Sequence, residues 1–416
     1  MPFFLVRFIT TRRFRLGLGE RLTLYRKNLS SLRSSRSIWL QAASVGEVTA
    51  VIPLIRLLRK EYPSRRVVLT CQTAAGRDLG REKFDSDIPV LLSPLDFSPL
   101  ITRFINRFSP SILILVETEI WPGLILTSRR KGIPVVIVNG RISDGSFGAY
   151  RKARPLLRPL FKRIAGFNMR SEKDAERIKA LGAFEEKIAV TGNIKFDSIP
   201  EAISPELDQE ISLLLNRGKK TRIIIGGSTF EGEEEILYRV LLNLLSDFPE
   251  LLLILAPRHL ERIPRLREFF RRKNEDIHLY SRLKAGEKRE RRVILVDRMG
   301  ALFSLYSQAS AVFIGRSLRG EGGQNPIEPA SLGKPVLFGP RMDNFRKIAR
   351  DLLKAGGAVE VRSGNDLKEK LSRILSTPAS AGIIGEKAKA VVSSRKGASR
   401  RNLKAISRIL AEQSED

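Results

Sequence analysis

The chain has 416 residues, 42% of them hydrophobic, which is too long for one ordinary domain and sufficient for two cores. The 74 Lys and Arg residues against 45 Asp and Glu residues give a net charge of +29 at pH 7. The single cysteine, Cys71, excludes a disulfide framework and a thiolate metal site, and two histidines argue against an imidazole-based metal site. A surface this basic attracts phosphate groups, whether of nucleic acid, anionic lipid or nucleotide.

Residues 1–36 concentrate the positive charge and contain a single acid, Glu20. The apolar run 2–9 is far too short to span a bilayer, and no signal-peptide cleavage pattern follows it. Apolar residues beside clustered arginines favour a segment that contacts an anionic membrane surface, and a disordered basic tail is the alternative that the pattern leaves open. No later stretch has the length of a transmembrane span, so we expect the body of the protein to be soluble.

From Ile38 onward, strand-like apolar runs alternate with helical stretches. The pattern predicts an α/β fold in which two Rossmann-like doubly wound domains, 37–200 and 221–380, face each other across a cleft. A polar stretch, 201–220, is the predicted linker, and 381–416 is predicted to form helices that pack back on the first domain. The predicted strands after the first are 67–71, 89–92, 112–116, 134–138, 166–169, 188–190, 222–226, 251–256, 293–296, 311–314, 335–338 and 358–361.

The segment 39–47 predicts a strand followed by a tight turn and the start of a helix. Its apolar run breaks at 44–46, and an amphipathic helical pattern follows over 48–60. This pattern places Glu47 in the first helical turn at the carboxyl edge of a sheet, where open α/β sheets bind ligands. A carboxylate there can take up a proton, or it can merely complement the helix dipole.

Three further loops at predicted strand ends carry reactive or charged side chains. Glu117 and Glu119 precede a tryptophan, the loop 139–143 begins with Asn-Gly, and the loop 191–197 contains Lys195. Ordinary turn chemistry accounts for the Asn-Gly pairs. Acids and a lysine gathered at one sheet edge predict a site in which a carboxylate takes a proton and the lysine neutralises a phosphate oxygen.

The second half of the chain offers several places for an anion. Small residues and hydroxyls at 225–229 precede a helix rich in glutamate and predict an anion pocket at its N-terminus. Neither a Walker motif nor a GxGxxG fingerprint is present. Arg258 follows a predicted strand, where it can bind a phosphate bidentately or form a surface ion pair. Residues 297–300 offer backbone amides at the start of another helix.

The glycine-rich stretch 315–330 is the most specific of these motifs. It leads into a helix, for which we predict Asn325 as the N-cap, Pro326 as the first helical residue and Glu328 in the first turn. A carboxylate in that position can accept hydrogen bonds from both hydroxyls of a ribose. Capping alone does not account for the glycines, so the pattern favours nucleotide binding.

The order and spacing of these motifs resemble those of the 3-deoxy-D-manno-octulosonic acid (Kdo) transferases that act on lipid A precursors. These are inverting glycosyltransferases with the two-Rossmann GT-B fold. The likeness extends from about Trp39 to about Phe345. The motifs that carry it are Ser44-Val-Gly-Glu47, Glu117-Thr-Glu-Ile-Trp-Pro122, Val138-Asn-Gly-Arg-Ile-Ser143, Gly192-Asn-Ile-Lys-Phe-Asp197, Ala256-Pro-Arg-His259 and Asn325-Pro-Ile-Glu-Pro-Ala330.

The resemblance implies CMP-Kdo as the donor and a lipid A precursor, lipid IVA, as the acceptor in lipopolysaccharide core biosynthesis, with no cofactor and no metal. It implies that Glu47, in the acceptor domain 37–200, is the general base and that Glu117 and Lys195 assist the transition state. It also implies attachment to the cytoplasmic face of the inner membrane, peripherally or through the N-terminus. In the donor domain 221–380, it implies that CMP is bound by Pro257, Arg258, Met299, Gly300, Ala301, Asn325, Pro326, Ile327 and Glu328.

The sequence departs from the family pattern on the donor side. Gln324 stands where histidine is usual, Arg316 where glycine is usual and Ala301 where an acid is common. Two other functions are left open by the residues, and one is a GT-B enzyme that uses a UDP-sugar donor. The other is nucleic-acid binding, which the charge suggests; an aromatic content of 7% and the lack of a reading motif argue against it, so we expect no nucleic-acid partner.

Overall fold

Two parallel sheets of seven strands organise the chain. The computed structural model describes residues 17–25, 36–84, 87–200, 202–216, 218 and 220–412. By their internal contacts these residues form two units, one made of Met1–Ser198 with Arg395–Asp416 and the other of Ile199–Ser394. Each unit is a doubly wound α/β structure, so the predicted pair of Rossmann-like domains is confirmed.

The first unit contains strands β1 to β7, all parallel, in the order β3-β2-β1-β4-β5-β6-β7. The winding direction therefore reverses between β1 and β4. The strands are β1 Ser37–Ala42, β2 Val67–Cys71, β3 Val90–Leu92, β4 Pro110–Val116, β5 Val135–Gly140, β6 Gly166–Met169 and β7 Ile188–Val190. The helices are α1 Leu18–Arg21, α2 Val45–Glu61, α3 Ala74–Lys83, α4 Ser98–Phe108, α5 Pro122–Arg130, α6 Asp144–Lys152, α7 Arg154–Phe161 and α8 Glu172–Ala180.

Helices cover both faces of the first sheet, which explains why its central strands are apolar throughout. In β1, Ile38 and Leu40 contribute to the core on the α2 side, and Trp39 points to the opposite face. The Trp39 ring stacks on Phe104 of α4 at a centroid distance of 4.2 Å, and its Nε1–H donates to the Thr70 hydroxyl at 2.8 Å. β1 is therefore held from both sides, and the loop that follows it starts from a fixed position.

The second unit repeats this plan with strands in the order β10-β11-β9-β8-β12-β13-β14. Its winding reverses between β8 and β12. The strands are β8 Arg222–Thr229, β9 Leu251–Pro257, β10 Ile277–Leu279, β11 Val293–Leu295, β12 Ala311–Ile314, β13 Val336–Phe338 and β14 Ala358–Glu360. The helices are α9 Pro205–Leu214, α10 Glu233–Leu244, α11 Ile263–Arg272, α12 Tyr280–Lys284, α13 Leu302–Tyr306, α14 Ile327–Ser331, α15 Arg346–Lys354, α16 Gly364–Ser376 and α17 Pro378–Ser393.

A helix lies within the stretch 201–220, which the sequence predicted as a linker. α9 begins where Ser204 accepts a hydrogen bond from Leu207 N–H (3.3 Å) and where proline occupies the first helical position. Its Asp208 accepts a hydrogen bond from Gln308 Nε2 at 2.7 Å, which ties α9 to the second unit. The polar composition of this stretch concealed the helix.

Helix α18, Ala398–Glu412, belongs to the first unit and contacts α2 and β6. At the other end, the membrane-contacting segment predicted over 1–36 lies largely outside the described residues. Within it, residues 17–25 pack on the first unit, where Glu20 accepts a hydrogen bond from Leu92 N–H at 2.7 Å. Among the residues that the structure describes, no helix combines the length and apolarity needed to cross a bilayer.

Candidate functional site

Glu47 lies in the first turn of α2, directly after β1, at the carboxyl edge of the first sheet. Ser44 is the N-cap of this helix, and its hydroxyl donates to Glu47 Oε1 at 3.0 Å. The backbone N–H of Ala43 donates to Glu47 Oε2 at 2.6 Å, and the side chain is 8% exposed. These two bonds fix the carboxylate at the start of the helix, and they leave each of its oxygens with a further lone pair for an incoming hydroxyl.

The protonation of Glu47 distinguishes it from an ordinary capping acid. Burial, with a smaller contribution from the charge of Glu117, raises the pKa of Glu47 to about 7 against the opposing effect of the Ala43 N–H. An acid that only complemented the helix dipole would be stabilised in its ionised form. A carboxyl group with a pKa near 7 exchanges its proton at neutral pH, which is what a general base must do.

Glu117 and Lys195 form an ion pair at the same edge of the sheet. Glu117 directly follows β4, the strand beside β1 at the reversal of winding, and its Oε1 accepts a hydrogen bond from Lys195 Nζ at 2.9 Å. Its backbone is left-handed, with φ of 60°, a conformation that costs a non-glycine residue roughly 1–3 kcal/mol. The structure therefore brings together the three residues that the sequence singled out in the first domain.

Asn139 links these loops, although its sequence context predicted only a turn. It lies next to the last residue of β5, is fully buried and has a left-handed backbone with φ of 55°. Its Oδ1 accepts a hydrogen bond from Ile194 N–H at 3.2 Å, and Asn193 Oδ1 accepts one from Lys195 N–H at 3.1 Å. Asn139 thus lies at an irregularity within β5, where the sequence predicted a turn, and it positions the short 3-10 turn that carries Lys195.

A third acid, Glu119, lies near the ion pair of Glu117 and Lys195. Its Oε2 accepts a hydrogen bond from Trp121 Nε1 at 2.9 Å, and burial raises the pKa of this carboxyl group. The charge of Glu119 in turn adds to the forces that raise the pKa of Glu47. The edge of the first sheet therefore brings three carboxyl groups close enough to repel one another, which favours proton uptake by the most buried of them.

In the second unit, a buried carboxylate holds the glycine-rich loop 315–323. Glu233, at the start of α10, is fully buried and accepts five backbone hydrogen bonds. Their donors, at 2.7–3.1 Å, are the N–H groups of Phe230, Arg316, Ser317, Leu318 and Arg319. The anion pocket predicted after 225–229 is thus filled by the protein's own carboxylate. This role is not visible in the sequence, because an acid at the start of a helix is also expected where it only complements the helix dipole.

The backbone of this loop accounts for one departure from the family pattern. Arg316, which stands where glycine is usual, has φ of 56°, in the left-handed region that glycine adopts without strain. Its N–H donates to Glu233 and its guanidinium lies over the Phe230 ring at 5.5 Å from the centroid. Glu233 and the ring stabilise a conformation that would otherwise be costly for arginine.

The Asn-Pro-Ile-Glu motif begins a helix one residue later than predicted, because α14 starts at Ile327 with Pro326 as its N-cap. Asn325 still provides a hydrogen-bond acceptor at the start of this helix, since its Oδ1 accepts a hydrogen bond from Ile327 N–H at 3.0 Å. Asn325 Nδ2 also donates to Glu328 Oε1 at 3.2 Å, and burial raises the pKa of Glu328. The motif therefore orients a partly buried carboxylate at the carboxyl edge of the second sheet.

The other predicted donor residues follow strands of the second sheet. Pro257 ends β9, and Arg258 is exposed and forms no ion pair with any residue that the structure describes. Met299, 71% exposed, and Gly300, with φ of 85°, follow β11, and Ala301 is the N-cap of α13. These residues, like 325–328 after β12, lie at one edge of one sheet, where open α/β sheets bind ligands.

Neither histidine contributes to a metal centre in the described parts of the chain. His278 is buried, its Nδ1 bonds to Glu287 Oε1 at 2.6 Å and its Nε2 accepts the backbone N–H of Glu290 at 2.9 Å. Both ring nitrogens are therefore used within the protein. Across the described ranges, no group of three or more His, Cys, Asp and Glu side chains is placed to hold a metal ion.

Comparison with known proteins places this site in a family context. A family model described as 3-deoxy-D-manno-octulosonic-acid transferase (kdotransferase) matches residues 16–198. The 3-deoxy-D-manno-octulosonic acid transferase of Haemophilus influenzae is 34% identical over 398 residues, covering 95% of this chain and 92% of that one. A bifunctional glycosyltransferase/methyltransferase of Fusobacterium nucleatum is 33% identical over 353 residues; the match covers 84% of this chain and about half of that one, 54%.

Solved structures show the same architecture. UDP-GlcNAc 2-epimerase from Neisseria meningitidis, in a crystal structure bound to UDP-GlcNAc, superposes with a TM-score of 0.61, covering 89% of this chain and all of that one. At 16% sequence identity this likeness concerns the fold alone. The two doubly wound units have the GT-B type of fold that the sequence predicted.

Proposed function

Because the chain belongs to the 3-deoxy-D-manno-octulosonic acid transferase family of glycosyltransferases, we propose that it transfers Kdo from CMP-Kdo to a lipid A precursor, lipid IVA. The transfer inverts the anomeric carbon, and Glu47 is its general base. The observation that carries this proposal is a carboxyl group with a pKa of about 7 at the winding reversal of the first sheet.

Glu47 removes the proton from a sugar hydroxyl of the acceptor. The hydroxyl oxygen then attacks the anomeric carbon of Kdo from the face opposite CMP, and the bond from that carbon to the phosphate oxygen breaks. Attack from the opposite face inverts the configuration. The proton stays on Glu47 and is later released to water. A base positioned in this way contributes about 10²–10⁴ in rate.

Lys195 supplies positive charge beside the base. In the free protein it is paired with Glu117 at 2.9 Å and is partly exposed, so an anionic substrate can reach its ammonium group. The Kdo carboxylate and the departing phosphate both carry negative charge that a lysine stabilises. Glu117 holds Lys195 in place and raises the pKa of Glu47, so this ion pair serves both the base and the transition state.

The second unit binds the CMP part of the donor in this proposal. Glu328, oriented by Asn325, accepts hydrogen bonds from the ribose hydroxyls. Arg258 follows β9 at the same edge, and its exposed guanidinium binds the phosphate bidentately. These cationic and polar groups can stabilise a monophosphate leaving group without a metal.

The lipid acceptor places the reaction at a membrane surface, and we propose the cytoplasmic face of the inner membrane. The net charge of +29 favours contact with a surface of anionic lipids. The positive charge also favours binding of the phosphorylated acceptor itself. Peripheral binding of this kind weakens as salt is added, because salt screens exposed charges.

The experiment is mass spectrometry of lipid IVA incubated with CMP-Kdo and the purified protein. We expect Kdo addition by the wild type and a loss of about 10²–10⁴ in rate for Glu47→Gln. The matched control is Glu61→Gln, which removes the same charge from the exposed end of the same helix and should leave the rate unchanged. CMP binding by calorimetry should be the same in both variants.

Two outcomes would contradict parts of this proposal separately. Turnover retained by Glu47→Gln would remove Glu47 from the role of base. Thermal stabilisation by UDP-sugars but not by CMP would overturn the assignment of the donor and leave the base assignment standing.

A further inference from the structure

A cavity of about 280 Å³ lies on the first unit where residues 23–25 pack against α4. Thr23, Leu24 and Tyr25 line one side, and Arg103 and Arg107, one helical turn apart on α4, line the other. Neither the family motifs nor the proposed transfer uses any of these residues. The cavity is large enough for a phosphate group and several water molecules, since each water in the liquid occupies about 30 Å³.

The guanidinium of Arg107 presents an empty hydrogen-bonding edge. Its Nε and Nη2 atoms are buried, and neither has a hydrogen-bond partner among the described residues. These two N–H groups point in parallel and form the edge with which arginine binds carboxylates and phosphates bidentately. A buried charged donor without a partner is costly, and an anion that bonded to this edge would remove that cost.

Tyr25 provides a third donor in the same cavity. Its ring packs against Phe104 and Phe108 of α4, at centroid distances of 6.3 and 5.6 Å, which fixes the position of the hydroxyl. The hydroxyl is buried and also has no partner among the described residues. Two rings and one helix thus hold Tyr25 so that its hydroxyl can donate to an occupant of the cavity.

No acidic side chain among the described residues pairs with the two arginines that line the cavity. Neither Arg103 nor Arg107 forms an ion pair with a residue in the described ranges. Glu20 is the acid whose charge acts on Tyr25, and its carboxylate is already bonded to Arg77 and Arg81. Two arginines one turn apart repel each other, and an anion between them would remove that repulsion.

We propose that this cavity binds a phosphate group, held side-on by Nε–H and Nη2–H of Arg107, with a hydrogen bond from the Tyr25 hydroxyl and the charge of Arg103 beside it. The ligand is a terminal phosphate group, either the phosphate monoester of a lipid head group or dissolved inorganic phosphate. The site is separate from Glu47: the cavity lies against the last turns of α4, and this helix ends beside Ser37 at the start of β1, on the amino edge of the sheet.

The test measures phosphate binding to the full chain by calorimetry, with inorganic phosphate as one probe. Vesicles of phosphatidylcholine with phosphatidic acid, compared with phosphatidylcholine alone, are the other probe. Arg107→Gln should weaken binding about tenfold to a hundredfold and Tyr25→Phe about twofold to tenfold. The matched control, Arg130→Gln, removes one positive charge from the exposed end of α5 and should retain wild-type affinity.

Binding of inorganic phosphate that depends on Arg107 identifies dissolved phosphate as the ligand, and Arg107-dependent binding of phosphatidic acid vesicles alone identifies a lipid head group. Absence of both in the wild type overturns the proposal, as does equal affinity in the wild type, Arg107→Gln and Tyr25→Phe. Should Arg107→Gln fail to fold, Tyr25→Phe decides, because it removes a single hydroxyl. None of these measurements involves Kdo transfer, so this proposal and the proposed function can fail independently.

Discussion

At the scale of single residues, two opposing effects act on the Glu47 carboxylate. The helix start and the N–H of Ala43 favour the ionised form, and burial together with the charges of Glu117 and Glu119 favours the protonated form. Burial prevails, and the pKa rises to about 7. A substrate that brings a hydroxyl to this carboxylate therefore meets a base whose proton affinity suits neutral pH.

The pH dependence of transfer should report this pKa. Because only ionised Glu47 can accept a proton, kcat/KM should rise tenfold per pH unit at low pH and level off above about pH 7. The measurement is kcat/KM for Kdo transfer across the neutral range, with Glu61→Gln as the control that keeps the same midpoint. A midpoint in the ordinary range of glutamate, near 4.3, would contradict the assignment.

The stability of the first unit should depend on the same proton. The folded pKa of about 7 lies above the usual 4.5, so the folded state binds this proton more tightly than the unfolded state. The resulting stabilisation is fully present below pH 4.5 and is lost as the pH rises to about 7. Above that pH, Glu47→Gln should exceed the wild type in unfolding free energy by about 3 kcal/mol.

Urea denaturation of both proteins at several pH values within this interval measures the difference. The difference should grow with pH and then become constant. A difference that stays flat across the interval would mean that Glu47 is ionised throughout and has no raised pKa.

At the scale of secondary structure, hydrophobic periodicity was sufficient to predict most strands. Central strands such as β1 and β4 are long and apolar on both faces, and their carboxyl ends placed Glu47 and Glu117 at one edge. β10 was not predicted, because it has three residues with the polar His278 at its centre. The sequence could not show that Asn139 and Glu233 each bridge two loops, since such contacts depend on which strands are neighbours.

The role assigned to Glu233 gives a prediction for the glycine-rich loop. Glu233→Gln replaces one acceptor oxygen with an amide NH₂ that faces backbone N–H groups, so the loop 315–323 should loosen. We expect the second unit to lose about 2–3 kcal/mol of stability and CMP affinity to fall about tenfold or more. Calorimetry of CMP binding and thermal unfolding measure these effects.

Glu235→Gln is the matched control for this variant. It removes the same charge from the same helical turn, but its side chain is exposed and holds no loop. It should change stability by only a few tenths of a kcal/mol. Equal effects of the two substitutions would show that the charge at the helix start matters and the five hydrogen bonds do not.

At the scale of the whole molecule, the first unit is discontinuous in sequence. Asp197, just before the chain enters the second unit, accepts hydrogen bonds from Gly397 N–H at 2.7 Å and Ser399 N–H at 2.5 Å, just after the chain returns. Arg401 Nε donates to Thr191 O at 2.7 Å. The start of α18 is therefore fixed to the loop that carries Lys195.

Asp197→Asn should break one of these two hydrogen bonds, because the amide nitrogen that replaces one carboxylate oxygen cannot accept from a backbone N–H. We expect hydrogen exchange to speed up in 398–412 and in the loop 191–197, with no change in the second unit. The first unit should lose about 1–3 kcal/mol of stability. Glu412→Gln, at the exposed end of α18, is the charge-matched control, and unchanged exchange in 398–412 would count against the role of Asp197.

The return of α18 to the first unit has a consequence for biosynthesis. When residues up to Ser198 have left the ribosome, the core formed by β1 and α2 still lacks Ile406 and Leu410, which α18 contributes. The second unit is continuous from Ile199 to Ser394, so it can complete its fold while the half that was translated earlier still waits for its last helix. In this protein the core that β1 shares with α2, the helix that carries Glu47, is therefore complete only after the whole second unit has been made.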